Sequence, residues 1–340
     1  MITGFYACPC GDLFMRADIE GVRPRPGCYD IIIEVMNDLT AELKNIIGDG
    51  QILKGEPMSS HTSFQAGGSA DYFLVPGTEE SMIGAIRALR EGGTPFFLLG
   101  NGSNLLVRDG GYRGAMISTT AALNNIDVSG DVITAGAGAS LSAVANRAAE
   151  NGLSGMEFAG GIPGSVGGAL FMNAGAYGGE MSDIVESARV FHIEGGRVVT
   201  IERDGMGLGY RESAFQSGFA AILSVRLRLK EGDSGEIHSK MRDLGRRRNE
   251  KQPMQLPSAG SFFKRPEGHF AGRLIEDAGL KGLQVGGARV SEKHAGFIVN
   301  AGGATASDII NLMKQVQERV FARSGVRLNP EPLIIGDDPK

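Results

Sequence analysis

The stretch from Gly160 to Gly179 constrains this chain more than any other. Eight of its twenty residues are glycine, Pro163 interrupts it, and Gly160–Gly179 carries no charged side chain. Glycine gives up too much backbone entropy for such a run to be a helix interior, so a shaped loop is expected. Val166, Leu170, Phe171 and Met172 are core-sized and exclude a random linker. Bare N–H groups beside absent side chains suit an anionic or planar ligand that needs close approach. A buried glycine turn without a ligand is the bland alternative.

The 340-residue chain is long enough for two or three lobes. Its 52 glycines are roughly twice the usual share of a globular protein, and they are spread along the chain, which argues for turns and backbone–ligand contacts rather than disorder. A net charge of -5 argues against a nucleic-acid partner. No apolar run approaches the ~20 residues a membrane span needs, so no membrane partner is expected. Cys8, Cys10 and Cys28 fit no zinc-ligand spacing, and no metal is expected. A body free of cysteine needs no oxidising compartment, which makes the cytoplasm the default. Residues 1–35 are expected to form a disordered or loosely docked leader, with Met36 as an alternative start.

Periodicity then places a helix from Met36 to Gly48, with Leu39, Leu43, Ile46 and Ile47 on one face. Strands are expected at Ala70–Pro76, Phe96–Leu99, Gly114–Ser118 and Val132–Ala135. The helix Glu79–Glu91 would make the first two a βαβ-like unit. Ser140 is expected to cap a helix over Leu141–Glu150. Ser187–Ile193 and Arg197–Ile201 read as a hairpin, and Ala221–Lys230 as one long strand. Beyond a boundary near Gly232 come a basic helix Glu236–Glu250, a short helix Ala271–Ala278, a strand His294–Asn300 and the helix Asp308–Arg323. Thr305 and Asp308 resemble a capping box for that last helix.

Two strand-to-glycine turns, at Gly100–Asn104 and Gly136–Gly138, join the long run as candidate cofactor contacts. Leu105 and Leu141 stand where a dinucleotide fold needs its third glycine, and no phosphate-loop lysine follows. The residues alone reach as far as a dinucleotide held by glycine loops of another kind.

Three segments carry a resemblance: Gly100–Asn104, Gly160–Gly168 and Asn173–Gly178. So do Gly209–Phe215, Ser258–Lys264 and Pro330–Pro332. In this order they resemble the UDP-N-acetylenolpyruvoylglucosamine reductase (MurB) family from about Ile52 to Gly336. The resemblance implies an α+β chain. Its FAD-binding fold is of the vanillyl-alcohol-oxidase (PCMH) type, made of two α/β lobes, and a C-terminal α+β substrate-binding lobe follows. The implied divisions are 36–115, 116–231 and 232–328, with 329–340 returning to the active site. The tyrosine-bearing loop insertion of the type I branch is missing, so the chain resembles type II.

The resemblance further implies FAD, with NADPH as co-substrate, and UDP-N-acetylglucosamine enolpyruvate as the molecule reduced to UDP-N-acetylmuramate, by a monomer. FAD would be bound by Gly100, Asn101, Gly102, Ser103, Asn104, Gly136, Gly138, Gly160, Gly161, Ile162, Gly164 and Ser165. Arg211, Ser261 and Glu331 would be catalytic, with Ser261 the proton donor. Tyr177, Arg248, Lys251 and Lys264 would bind substrate. Arg246 to Arg248 and Lys251 also suit a diphosphate by charge, although part of that helix face must simply be solvated. Arg265 departs from the asparagine that well-known members carry for uridine. Another FAD oxidase of this fold and a non-catalytic nucleotide-sugar binder remain the alternatives.

Overall fold

The computed structural model describes residues 39–339, so the expectations for the leader lie outside the described residues. Residues 39–47 form helix α1, and from Leu43 on the chain makes one compact unit. In chain order follow β1 (Gln51–Pro57), β2 (Ser69–Val75), α2 (Glu79–Glu91), β3 (Phe96–Leu99), β4 (Leu105–Val107) and β5 (Tyr112–Ser118). The first sheet has the order β1-β2-β5-β3. Thr78 and Ser81 close a capping box at the start of α2, which buries Met82, Ile83, Ile86 and Leu89. The expected βαβ unit is present in modified form. β2 and β3 run parallel but are not neighbours, because β5 lies between them and parallel to both. Gly114 permits this insertion: at its φ of +148°, a Cβ would stand 2.2 Å from the Pro95 carbonyl oxygen.

The next elements are β6 (Ile126–Ser129), β7 (Val132–Gly136), α3 (Leu141–Glu150), β8 (Leu153–Ser154), α4 (Val166–Phe171), β9 (Gly175–Ala176) and β10 (Gly179–Glu180). Then come β11 (Val185–His192), β12 (Arg197–Glu202), β13 (Ala220–Arg228) and β14 (Lys230–Glu231). Five of these strands build an antiparallel sheet in the order β12-β11-β13-β7-β6, with the β11–β12 hairpin where alternation expects it, while β9 pairs with β10. The long strand stops at Arg228, because the Leu229 N–H turns to the Asp131 carbonyl and β14 pairs with β8 instead.

Two local expectations fail here. Ser140 lies at the head of α3 but makes no side-chain cap; the Leu141 N–H is taken by the Gly164 carbonyl at 3.0 Å, and Ser140 bonds Ser142. The glycine run also contains a helix after all, since α4 includes Gly167 and Gly168. The entropic cost, about 0.5–1 kcal/mol per glycine, is offset by close packing. A Cβ on Gly167 would meet that of Ala137 at 2.8 Å, and Ser165 caps the helix by accepting from Gly168.

The last part holds α5 (Ser234–Lys251), α6 (Ala271–Asp277), β15 (Gln284–Val285), β16 (Ala288–Val290), β17 (Ile298–Asn300), α7 (Ala306–Ser324) and β18 (Leu333–Ile335). The strand expected from His294 begins only at Ile298, because His294 to Phe297 forms a turn closed by the Phe297 N–H on the His294 carbonyl. The capping box of Thr305 and Asp308 is present. Ile309, Leu312, Met313, Val316 and Val320 pack on Phe262, Phe263 and Phe64. Burying each such side chain is worth about 1.5–3 kcal/mol, so this core fixes where the 261–264 segment lies. The Asp109 carboxylate accepts the N–H groups of Ala306 and Ser307, each at 2.8 Å. β18 pairs parallel with β4, Leu333 opposite Leu105, which returns Glu331 beside the Gly100–Asn104 loop.

Candidate active site

A cavity of about 650 Å³ opens where these sheets meet. Gly100 to Leu105, Ile162 to Ser165, Gly167 to Ala169 and Ala174 to Tyr177 line one part of it. Arg211, Ser261, Glu331, Arg248 and Lys251 line another.

The glycine side is built of main chain. Gly102 has φ +61° and is buried, and a Cβ there would stand 2.0 Å from the His61 carbonyl oxygen. A Cβ on Gly100 would stand 2.1 Å from Ser165 Oγ. Among the described residues, no hydrogen bond uses the N–H of Asn101, Gly102, Ser103 or Asn104. Amides with no protein partner at a cavity wall are free to donate to a ligand. A donor-rich loop without an acidic side chain fits the diphosphate of FAD, and the apolar lining of Phe97, Leu99, Phe215 and Ile222 fits its rings.

Not every glycine expected at the cofactor lines the cavity. Gly136 and Gly138 turn to the 119–125 segment, where Cβ atoms would meet the Leu123 and Thr119 carbonyl oxygens at 2.4 and 2.1 Å. A Cβ on Gly160 would meet Met241, and one on Gly161 would meet Arg248. These four shape the loops from behind, and Ile162, Gly164 and Ser165 reach the lining.

Arg211 sits at the tip of a turn closed by mutual hydrogen bonds between Gly209 and Glu212, with φ +58°. Its Nε donates to Glu331 Oε1 at 2.8 Å, Nη2 to the Gly175 carbonyl at 3.0 Å and Nη1 to the Asn173 carbonyl at 3.4 Å. Both side chains of the Arg211–Glu331 pair are 18% exposed. Burial pushes the Glu331 carboxyl above the usual glutamate range, and the opposing pull of Arg211 and Lys264 does not cancel it. The Glu331 N–H donates to the Phe262 carbonyl at 2.9 Å, which ties the carboxylate strand to the segment bearing Ser261. Asn104 Nδ2 donates to the Glu331 carbonyl at 3.2 Å.

The basic run on α5 sorts itself. Arg246 pairs with Asp243 and Glu250, and Arg247 with Asp243, on the exposed face. Arg248 alone among these three turns inward: it is 7% exposed, donates to the Gly161 carbonyl, and sits 5.8 Å from the Tyr177 ring. Burial lowers its guanidinium pKa. Lys251 reaches the cavity, but Lys264 does not line it and acts on Glu331 only by charge. Arg265 lies off the cavity, 4.0 Å from the Phe270 ring, with its N–H donating to Tyr210 Oη at 3.1 Å.

Sequence reasoning missed two residues. His294 lines the cavity, and burial holds its imidazole below the usual range. Its Nδ1 accepts the Gly296 N–H, which places the proton of the neutral ring on Nε2. Asn173 is fully buried behind Arg211. Neither stands in a periodic pattern. For Asn173 the signals were its place at the head of the Asn173–Gly178 segment that carries the resemblance and its being an asparagine inside a glycine turn, a residue that tolerates positive φ.

Among the described residues, no helix is long and apolar enough to cross a membrane, and no group of three or more His, Cys, Asp or Glu could hold a metal ion. Residues 252–335 match the family described as UDP-N-acetylenolpyruvoylglucosamine reductase, C-terminal domain, and residues 70–202 match an FAD binding domain. A UDP-N-acetylenolpyruvoylglucosamine reductase of Clostridium botulinum is 50% identical over 297 residues, 87% of this chain and 96% of that protein. One from Caldanaerobacter subterraneus subsp. tengcongensis is 48% identical over 299 residues, 88% and 98% of the two chains. The crystal structure of UDP-N-acetylenolpyruvylglucosamine reductase (MurB) from Thermus caldophilus superposes with a TM-score of 0.72 at 38% identity, covering 84% of this chain and 98% of that one.

Proposed function

The chain belongs to the UDP-N-acetylenolpyruvoylglucosamine reductase (MurB) family, an FAD-dependent oxidoreductase, and from that premise we propose how its residues divide the reaction. The substrate is UDP-N-acetylglucosamine enolpyruvate, NADPH is the reductant, and the product is UDP-N-acetylmuramate, a cytoplasmic step toward peptidoglycan. The enzyme acts as a monomer of the type II branch. The observation that carries the reading is that Arg211, Ser261 and Glu331, far apart in sequence, border one cavity with the glycine loops.

When bound, FAD supplies the two-electron link between NADPH and the enolpyruvyl double bond. The loop Gly100–Asn104, with Ile162, Gly164 and Ser165 beside it, would hold it, the free N–H groups of Asn101 to Asn104 meeting its diphosphate. Net addition of hydride and a proton across the double bond converts the enolpyruvyl ether to a lactyl ether. Hydride at the terminal carbon leaves negative charge on the adjacent carbon, spread onto the carboxylate. Arg211 stabilises that charge. Three of its five N–H groups are engaged by Glu331, Asn173 and Gly175, which leaves two for the substrate carboxylate. Stabilisers aligned before the reaction are worth about 10²–10³-fold each. Ser261 donates the proton to the adjacent carbon. Glu331, whose carboxyl burial pushes above the usual glutamate range, orients Arg211 by accepting from its Nε. Tyr177, Arg248 and Lys251 face the nucleotide-sugar, with the two cations suited to its diphosphate.

The test is NADPH oxidation by the FAD-loaded protein with and without enolpyruvyl-UDP-N-acetylglucosamine. Oxidation that depends on this substrate is expected. Oxidation indifferent to it and driven by oxygen would identify an oxidase instead.

A further inference from the structure

We propose that Asn173 is a positioning residue that holds Arg211 in its working orientation from both ends, an inference that rests on the catalytic reading of Arg211 above. Asn173 is fully buried and left-handed, with φ +41°. Its side-chain Nδ2 donates to the Gly209 carbonyl at 2.9 Å, gripping the base of the turn whose tip is Arg211. Its own main-chain carbonyl accepts from Arg211 Nη1, at the far end of the same side chain. The grip is itself braced. Asn173 Nδ2 also donates to Glu180 Oε1 at 3.2 Å, Ser182 Oγ donates to that same oxygen at 2.5 Å, and Asn173 Oδ1 accepts the Ser182 N–H at 2.9 Å.

Every polar atom of the Asn173 amide is therefore used, and none is directed at substrate. The strain supports the same reading. Asn173 and Arg211 are two of the four non-glycine residues with positive φ among the described residues, and such residues persist only where surrounding bonds over-determine them. A guanidinium whose Nε meets Glu331 while its Nη atoms meet two carbonyls of the Asn173–Gly175 segment has one available pose. Cutting the Asn173 amide frees the turn, and the guanidinium drifts from both Glu331 and the reacting carbon.

The test uses the FAD-loaded full chain and separates the half-reactions. Asn173→Gly keeps the left-handed backbone and removes the amide; Asn173→Asp keeps the volume and sets a carboxylate against Glu180 and the Gly209 carbonyl. Both are expected to bind FAD and be reduced by NADPH as the parent is, while reoxidation by enolpyruvyl-UDP-N-acetylglucosamine slows on the order of 10²-fold, as a misplacement of about 1 Å does. With Arg211 displaced, the charges facing Glu331 reduce to Lys264, so the limb of the pH profile governed by Glu331 moves to higher pH. In an Arg211→Ala background, Asn173→Gly should add no further loss, because residues that act through one another are not additive. A full additive loss there, or equal slowing of both half-reactions, would overturn the positioning role. Loss in Arg211→Ala with none in either Asn173 variant would overturn it too and leave the functional reading intact, whereas parent-like reoxidation in Arg211→Ala would overturn the functional reading itself. If Asn173→Gly proves too unstable to purify, Asn173→Asp alone decides the matter by the same readouts.

Discussion

The two walls of the cavity are made of different materials. The loops Gly100–Asn104 and Ile162–Ser165 bare their main chain at Gly100, Gly102 and Gly164, between side chains that carry no charge. The opposite wall presents Arg211, Ser261, Glu331, Arg248 and Lys251, drawn from separate parts of the chain. A main-chain wall is shaped by local sequence and has little room for added atoms, because a Cβ on Gly102 would meet the His61 carbonyl oxygen and one on Gly100 would meet Ser165 Oγ. A side-chain wall depends on tertiary contacts and can lose one member while keeping its shape. The first should therefore govern whether the cofactor is held, and the second what happens to the substrate.

Variants on each wall can break that division. The largest effect is expected from Gly102→Val, because its Cβ would stand 2.0 Å from the His61 carbonyl oxygen at a φ of +61°. The purified protein should be colourless and inactive in both half-reactions, which an absorption spectrum at the flavin band checks. A yellow, active Gly102→Val protein would break the comparison. Arg248→Ala should come next. It removes a buried cation that contacts the Gly161 carbonyl and the Tyr177 ring, and KM for the nucleotide-sugar should rise on the order of 10- to 100-fold, as losing a charge-assisted bond of ~1.5–3 kcal/mol does. FAD content should be little changed, and steady-state kinetics beside flavin occupancy would sharpen the boundary between the walls.

The smallest effect is on stability. Burial raises the pKa of Glu331 in the folded protein, so folding favours its protonated form. That contribution is full below the unfolded pKa and is lost as pH rises through the folded pKa. Glu331→Gln, neutral throughout, should therefore gain in Tm relative to the parent as pH rises from below the ordinary glutamate range to neutrality. Thermal melts of both proteins across that range check the sign, and a Tm difference that shrinks with rising pH would contradict it.

The two walls also differ in how far they were legible in sequence. Helices α2 and α3 matched their expected bounds because apolar spacing and flanking glycines are local signals. The glycine loops announced themselves by composition. The helix α4 was not legible, since what permits Gly167 in it is a contact with Ala137 thirty residues earlier. Likewise the insertion of β5 between β2 and β3 depends on the Gly114–Pro95 approach. On the other wall, charge alone could not say that Arg248 turns inward while Arg246 and Arg247 pair with Asp243 on the surface. The pairing of Arg211 with Glu331 spans 120 residues, and it depends on the β18–β4 ladder, the Phe262–Phe263 core and the bond from Asn173 to the Gly209 carbonyl. Composition singled out Gly136 and Gly138 for the cofactor, although their tight contacts are with other protein backbone.

If the side-chain wall acts on the substrate alone, Ser261→Ala should separate the two half-reactions. Rapid mixing of the FAD-loaded variant, first with NADPH and then with enolpyruvyl-UDP-N-acetylglucosamine, reads the two half-reactions separately. Flavin reduction at the parent rate is expected, followed by reoxidation slowed on the order of 10³-fold, the range for loss of a positioned proton donor. Reoxidation at the parent rate would remove Ser261 from the proton transfer, and reduction lost together with reoxidation would show that this wall also serves the cofactor.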